Sequence, residues 1–349
     1  MSDGQAGKRV ALVLGSGGAR GYAHIGVIDE LEARGYQVVA LSGCSMGALI
    51  AGVYAAGQLS GYRDWVTELD YFDVLRLVDV TWSPMGAMRA SKVMMKLEGL
   101  IGDLQLEDLP IPLTTVATDL VRQREVWFQN GPLLQAIRAS IAVPGIITPV
   151  HIGDQILVDG GLMNPLPIIP TVSSHADLVL AVNATAQSHY PVQLEDLLPP
   201  EAAAEEQARE QALDAQGRGF GAWIGGVRDR MFPGTGEEEE APENERRRQR
   251  ARQRAWSKLD MILASFDITQ GALAKYKVAG YPPDILIDIP KTVCGAYEFH
   301  RADALIKLGR HLAAQALDRY EGRPGVPGAA ASAVTVEEGT PVSPGEGDD

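Results

Sequence analysis

Gly43-Cys44-Ser45-Met46-Gly47 is the segment whose residue types and spacing most directly suggest chemistry. A G-x-S-x-G pentapeptide between a strand and a helix makes a sharp turn that lifts the serine hydroxyl clear of the backbone. Its glycines remove side chains that would collide there. The helix that follows aims free N–H groups and its positive dipole end at the reacting atom. Ser45 is thus a candidate nucleophile. The plain alternative is a small-residue turn that packs helix on sheet, and the pentapeptide alone arises often by chance.

A second glycine segment, Gly15-Ser16-Gly17-Gly18-Ala19-Arg20-Gly21, admits three readings. A phosphate-binding P-loop needs Lys followed by Ser or Thr, and none follows. A dinucleotide turn, counted from Gly15, meets Arg20 where its third glycine belongs, and the next strand ends in Leu41-Ser42-Gly43 without the acidic residue that would hold a ribose. The third reading is an anion-binding turn serving Ser45, with the amides of Gly17 and Gly18 and the Arg20 guanidinium near a developing oxyanion. The third is favoured.

The partner of Ser45 is the sharper question. Asp159 closes an apolar strand and precedes Gly160 and Gly161, so it is expected at the same rim, although Asp-Gly is also a common turn pair. His175, His189, His300 and His311 follow it but lack a turn context, and base rates favour surface or packing roles for each. His24 reads as a structural histidine within a helix.

These residues need elements to hold them. Arg9–Leu14 (RVALVL) reads as a buried strand, Tyr22–Gly35 as a helix stopped by Gly35, Val38–Leu41 as a second buried strand and Ala48–Gly57 as a second helix. Two strand–turn–helix units in succession imply parallel strands, with both glycine turns at the carboxyl edge where open α/β sheets carry their sites. Pro112–Leu120, Glu125–Gln129, Gln155–Val158 and Asp177–Asn183 read as further strands, Gly131–Ser140 as a short helix with Pro132 in its first turn. A long helix is expected from Trp256, then a strand at Pro283–Ile289 and a last helix from Phe299.

Together GSGGARG, GCSMG and DGG, in this order and these contexts, resemble the patatin-like phospholipase family. Arg138 followed by ASIAVPG (Ala139–Gly145) is similar to that family's helix-to-loop segment. SFDITQ and FHRADALIKLG resemble its bacterial branch related to neuropathy target esterase. The likeness covers Arg9 to Gln187 and Trp256 to Ala316. It implies a three-layer α/β/α fold with a mostly parallel central sheet, and a serine acyl hydrolase of lipase, phospholipase or lysophospholipase type that cleaves lipid carboxylic esters through an acyl-enzyme. By position it implies a Ser-Asp dyad without a catalytic histidine: Ser45 as nucleophile, Asp159 as base, and Gly17, Gly18 and Arg20 framing the oxyanion hole. Many members carry Gly where Ser16 stands. A free Asp, with a pKa of about 3.9 against about 6.5 for His, is the weaker base at neutral pH, so the oxyanion hole must contribute much of the rate. The same dyad would serve an acyltransferase, and a nucleotide- or phosphate-binding regulatory protein would leave Ser45 idle.

Composition is consistent with this. A formal net charge of −14 argues against unspecific binding to nucleic acid. Two cysteines, Cys44 and Cys294, build no disulfide framework, and neither they nor the histidines show metal-ligand spacing, so no cofactor or metal is expected. No secretory leader or apolar membrane span is evident, which makes the cytoplasm the expected location, with transient contact at a membrane surface through the lipid substrate. Cys44, Met46, Ile50, Met85, Met88, Met94 and Met95 are candidates to line an acyl pocket, although plain packing explains most of them. The expected layout is an extension at 1–8, a hydrolase domain at 9–320 interrupted by a charged, partly disordered insertion at 187–255, and an acidic tail at 321–349. Within the insertion, Phe220–Phe232 is apolar enough to form a lid or membrane-facing element.

Overall fold

The computed structural model describes residues 8–77, 80–83, 86–188, 192–215 and 258–322. β1 (Arg9–Leu14) ends in the first glycine turn, which winds into a 3₁₀ turn (Gly18–Tyr22) and α1 (Ala23–Ala33). β2 (Gln37–Cys44) turns at Ser45 into α2 (Met46–Ala55). There follow α3 (Leu59–Glu68), α4 (Tyr71–Leu77), β3 (Val80–Ser83), β4 (Gly86–Met88) and α5 (Ser91–Ile101). β5 (Leu113–Asp119) and β6 (Arg124–Phe128) form a hairpin, succeeded by α6 (Leu133–Ser140), β7 (Gly145–Ile147), β8 (Val150–Ile152), β9 (Gln155–Asp159) and β10 (Leu178–Ala186). The described chain ends with α7 (Leu194–Leu197), α8 (Pro200–Ala215), α9 (Lys258–Gly280), β11 (Ile285–Pro290) and α10 (Ala302–Tyr320).

The main sheet runs β11-β10-β1-β2-β5-β9-β8, with β6 also paired to β5. From β11 to β5 every neighbour is parallel, whereas β6, β9 and β8 are antiparallel additions. Parallel strands must be covered on both faces, which is why β1 is apolar at consecutive positions. Val10, Leu12 and Leu14 join the large core formed with α1, α2 and α10. Val13 points the other way, into a smaller cluster with Ala181, Leu166, Ile168 and Ala274 of α9. Helices on both faces make the three layers. The short sheet β3-β4-β7 has no counterpart among the sequence expectations.

On the larger face α1 and α10 cross closely, because Gly309 leaves room for backbone: a Cβ there would fall 1.9 Å from the Ala23 carbonyl oxygen. The charged stretch after Gln187 starts with ordered structure. Leu194 and Leu198 are buried, and Arg301 bonds to Glu195 and Glu206, each at 2.6 Å. Apolar anchors and a shared cation thus seat α7 and α8 beside α10. The proposed lid Phe220–Phe232, the rest of residues 216–257, residues 1–7 and the tail beyond 322 lie outside the described residues. Among the described residues no helix is long and apolar enough to cross a membrane.

Candidate active site

Ser45 is the single residue between β2 and α2, and it has φ 55° and ψ −122°. A non-glycine residue in that region stores about 1–3 kcal/mol, and it persists only where the surroundings hold it. The hold is visible. The Ser45 amide donates to the Ser140 hydroxyl at 2.9 Å, and that hydroxyl donates to the Val116 carbonyl at 2.6 Å. Ser140, the last residue of α6, is fully buried and braces the turn against β5. The glycines have a steric reason: a Cβ on Gly47 would meet the Leu14 carbonyl oxygen at 2.0 Å, so α2 starts directly against the end of β1.

That contact brings the two glycine turns together. In the first turn, Gly18 has φ 57°, and a Cβ on it would lie 2.3 Å from the Ala296 carbonyl oxygen. Ala19 donates its own N–H to that oxygen at 2.8 Å, whereas the amides of Gly17 and Gly18 find no acceptor among the described residues. Arg20 is buried, and each nitrogen of its guanidinium is engaged: Nε donates to the Gly17 carbonyl at 3.1 Å, Nη1 to the Lys291 carbonyl at 2.9 Å, and Nη2 to Asp267 at 3.3 Å. It shapes the turn rather than offering a free cation. His24 supports the same turn from below. Its Nε2–H donates to the Gly15 carbonyl at 2.8 Å, and burial pushes its pKa down to about 4, so it is a neutral structural histidine.

Asp159 reaches this site by a route that differs from the expected one. Its strand, β9, is antiparallel to β5 and pairs Asp159 with Ala117. Closing a strand would therefore place it at the wrong end of the sheet. It lands beside Ser45 because β5 extends past β2, where Cys44 is level with Val116. A Cβ on Gly160 would touch the Val116 carbonyl at 2.2 Å and the Cys44 sulfur at 3.1 Å, so this turn also packs on the nucleophile's turn. The carboxylate is fully buried. Oδ1 accepts the Gly161 N–H at 2.7 Å and has the Cys44 sulfur at 4.0 Å, while Oδ2 has no hydrogen-bond partner among the described residues. Burial raises the Asp159 pKa to about 7, and the Ser45 hydroxyl and Gly161 amide beside it offset only part of that rise. The Ser45 hydroxyl is thus an electrostatic neighbour of a carboxylate whose second oxygen is still free to take a proton.

All five anticipated site residues, Ser45, Asp159, Gly17, Gly18 and Arg20, converge here. The other histidines do not: His175 is exposed, His300 packs edge-on against Tyr71, and His311 pairs with Gln315; His189 lies outside the described residues. Cys44 and Ile50 are fully buried and Met46 nearly so, whereas Met95 is exposed; Met85 lies outside the described residues. Ser140 was not singled out from the sequence. The signals for it are a polar residue closing an otherwise apolar helix face and its place in the family-like segment Ala139–Gly145. Ser140→Ala leaves the Val116 carbonyl and the strained Ser45 amide unpaired, at about 1–3 kcal/mol for each buried group. Thermal melting and ester kinetics should show both lower stability and lower kcat; unchanged values would mean that the brace is idle.

Comparison with known proteins gives the family of the chain. A family model for patatin-like phospholipases matches residues 12–172, which include all three turns. An uncharacterized NTE family protein of Mycobacterium tuberculosis is 39% identical over 342 residues, covering 91% of this chain and 94% of that protein. Mouse patatin-like phospholipase domain-containing protein 6 is 32% identical over 189 residues, 52% of this chain and 14% of its own length. The crystal structure of VipD from Legionella pneumophila aligns with 90% of this chain and 67% of its own at 15% identity and a TM-score of 0.42. With such identity running along nearly its whole length to the mycobacterial protein, the chain belongs to the patatin-like phospholipase family, in its NTE branch.

Proposed function

We propose that this protein hydrolyses carboxylic esters of lipids through a Ser45–Asp159 dyad. The observation that carries the reading is a buried carboxylate, beside a strained serine, with one oxygen unbonded and a pKa near neutrality. As the Ser45 oxygen attacks the ester carbonyl carbon, its proton passes to Asp159. The carbonyl oxygen becomes an oxyanion and takes N–H bonds from Gly17, Gly18 and Met46, the last being the first residue of α2. Collapse breaks the bond to the alkoxy oxygen, which leaves as the alcohol with the proton from Asp159. Water then gives a proton to Asp159 and attacks the acyl-serine, releasing the fatty acid and restoring Ser45. The lipid nature of the substrate comes from the family.

A fluorophosphonate probe tests the nucleophile. Mass spectrometry should place the adduct on Ser45 and find none in Ser45→Ala; labelling that survives the substitution removes the dyad. Incubating the wild-type protein with phospholipid vesicles, and identifying free fatty acid against acyl transferred to a lipid alcohol, separates hydrolysis from acyl transfer.

A further inference from the structure

Parallel pairing of β10 and β11 requires the chain between them to return across the sheet. α9, which leads into β11, therefore starts at the edge that carries the glycine turns and descends from it. Its lower half is anchored where Ala274 packs with Val13 and Ala181. One turn above that anchor is Gln270, only 4% exposed although its neighbours Ile268 and Thr269 face solvent. A buried amide is costly unless it is bonded. The Gln270 side-chain oxygen accepts the Ser16 hydroxyl at 3.2 Å, across 254 residues of sequence. Its nitrogen lies against the turn after Asp159: a Cβ on Gly161 would fall 2.1 Å from Nε2 and 3.0 Å from Asp159 Oδ1. This is the same Gly161 whose N–H holds Asp159 Oδ1. Three residues earlier on α9, Asp267 pairs with Arg20, which holds the Gly17 carbonyl.

One side chain thus touches the anion turn on one side and the base turn on the other. We propose that Gln270 is a positioning residue whose amide acts as a spacer, setting the separation between the Gly17–Gly18 amides and the Asp159 carboxylate. That amide fills the space a Cβ on Gly161 would take. The spacer acts through Ser16 and Gly161 and does not touch substrate, so its loss alters the alignment of the reacting groups and leaves acyl binding unchanged. The proposal rests on the Ser45–Asp159 reading given above.

The test uses the full chain and a soluble p-nitrophenyl ester. Gln270→Met keeps length and volume and deletes both polar atoms. It should lower kcat by about 10–100-fold, the scale of a misplacement of about 1 Å, with KM within about twofold. Ser16→Ala should give a smaller loss, again in kcat. In the double variant the Ser16→Ala loss should vanish, because the contact it removes is already gone. Wild-type kcat in Gln270→Met, a loss carried by KM, or additive losses in the double variant would each overturn the spacer. Should Gln270→Met fail to fold, Ser16→Ala decides alone: a kcat-only loss supports the spacer and an unchanged kcat overturns it. Ser45→Ala, assayed in parallel, reports on the dyad itself. Full activity there overturns the dyad, whereas a dead Ser45→Ala beside a fully active Gln270→Met overturns the spacer alone.

Discussion

In a pH–rate profile, kcat/KM for a soluble ester should climb about tenfold per pH unit through the acid range and level off only above about 7. The base must be ionised to accept the Ser45 proton, and burial withholds ionisation until the pH reaches the Asp159 pKa. A solvated carboxylate, with a pKa of about 3.9, would already give a flat profile by about pH 5. The two buried histidines cannot produce this limb, because burial holds both His24 and His300 down to about 4. Asp159→Asn should lower kcat/KM by about 10²–10⁴-fold, the usual worth of a positioned base, and flatten the acid limb. A wild-type limb near pH 4 would mean that water reaches the carboxylate. A limb near 7 that persists in Asp159→Asn would assign it to another group.

This value also changes what the sequence suggested about rate. Read as a free side chain, Asp159 is a weak base that leaves much of the acceleration to the oxyanion hole. Fully buried, it approaches the proton affinity of a histidine. The residue type was legible in the sequence, but its environment was not, since burial depends on β5, α2 and α9 closing around it.

The same division runs through the fold. Both parallel strand–turn–helix units could be read from Arg9–Leu14 and Val38–Leu41, because continuous apolar runs ended by glycine leave few alternatives. The direction of β9 could not, because QILVD carries no mark of whether its partner is parallel or antiparallel. Asp159 was nonetheless expected at the right rim, although by an argument that β9's direction overturns. Its actual cause is the offset between β5 and β2. Ser140 and Gln270 show the deeper limit. Each is an ordinary polar residue on a helix, and only tertiary pairing, Ser140 with the Ser45 amide and Gln270 with the Ser16 hydroxyl, separates them from surface neighbours. Arg20 was anticipated beside the oxyanion hole, and its three engaged nitrogens fit a brace for the turn.

A site built this way carries a stability cost, which leads to the second large expected effect: Asp159→Asn should be more stable than the wild type at pH 8, and little changed near pH 4. The sign follows from the direction of the shift. The native carboxyl binds its proton up to about pH 7, whereas in the unfolded chain it releases the proton near 3.8. Between those values the native state holds more protons than the unfolded state, so stability falls as pH rises through that window and the penalty is complete above it. At about 1.36 kcal/mol per pH unit, the penalty has a ceiling of about 4 kcal/mol. Asparagine removes the charge, keeps an oxygen for the Gly161 N–H, and places an N–H where Oδ2 now has no partner. For a chain of this size each kcal/mol recovered should raise Tm by about 2–4 °C. Calorimetry of both proteins at pH 8 and at pH 4.5 reads the difference directly. A variant no more stable at pH 8, or one stabilised equally at both pH values, would show that the Asp159 charge is solvated or compensated. The buried, half-bonded carboxylate on which the catalytic reading depends would then be lost with it.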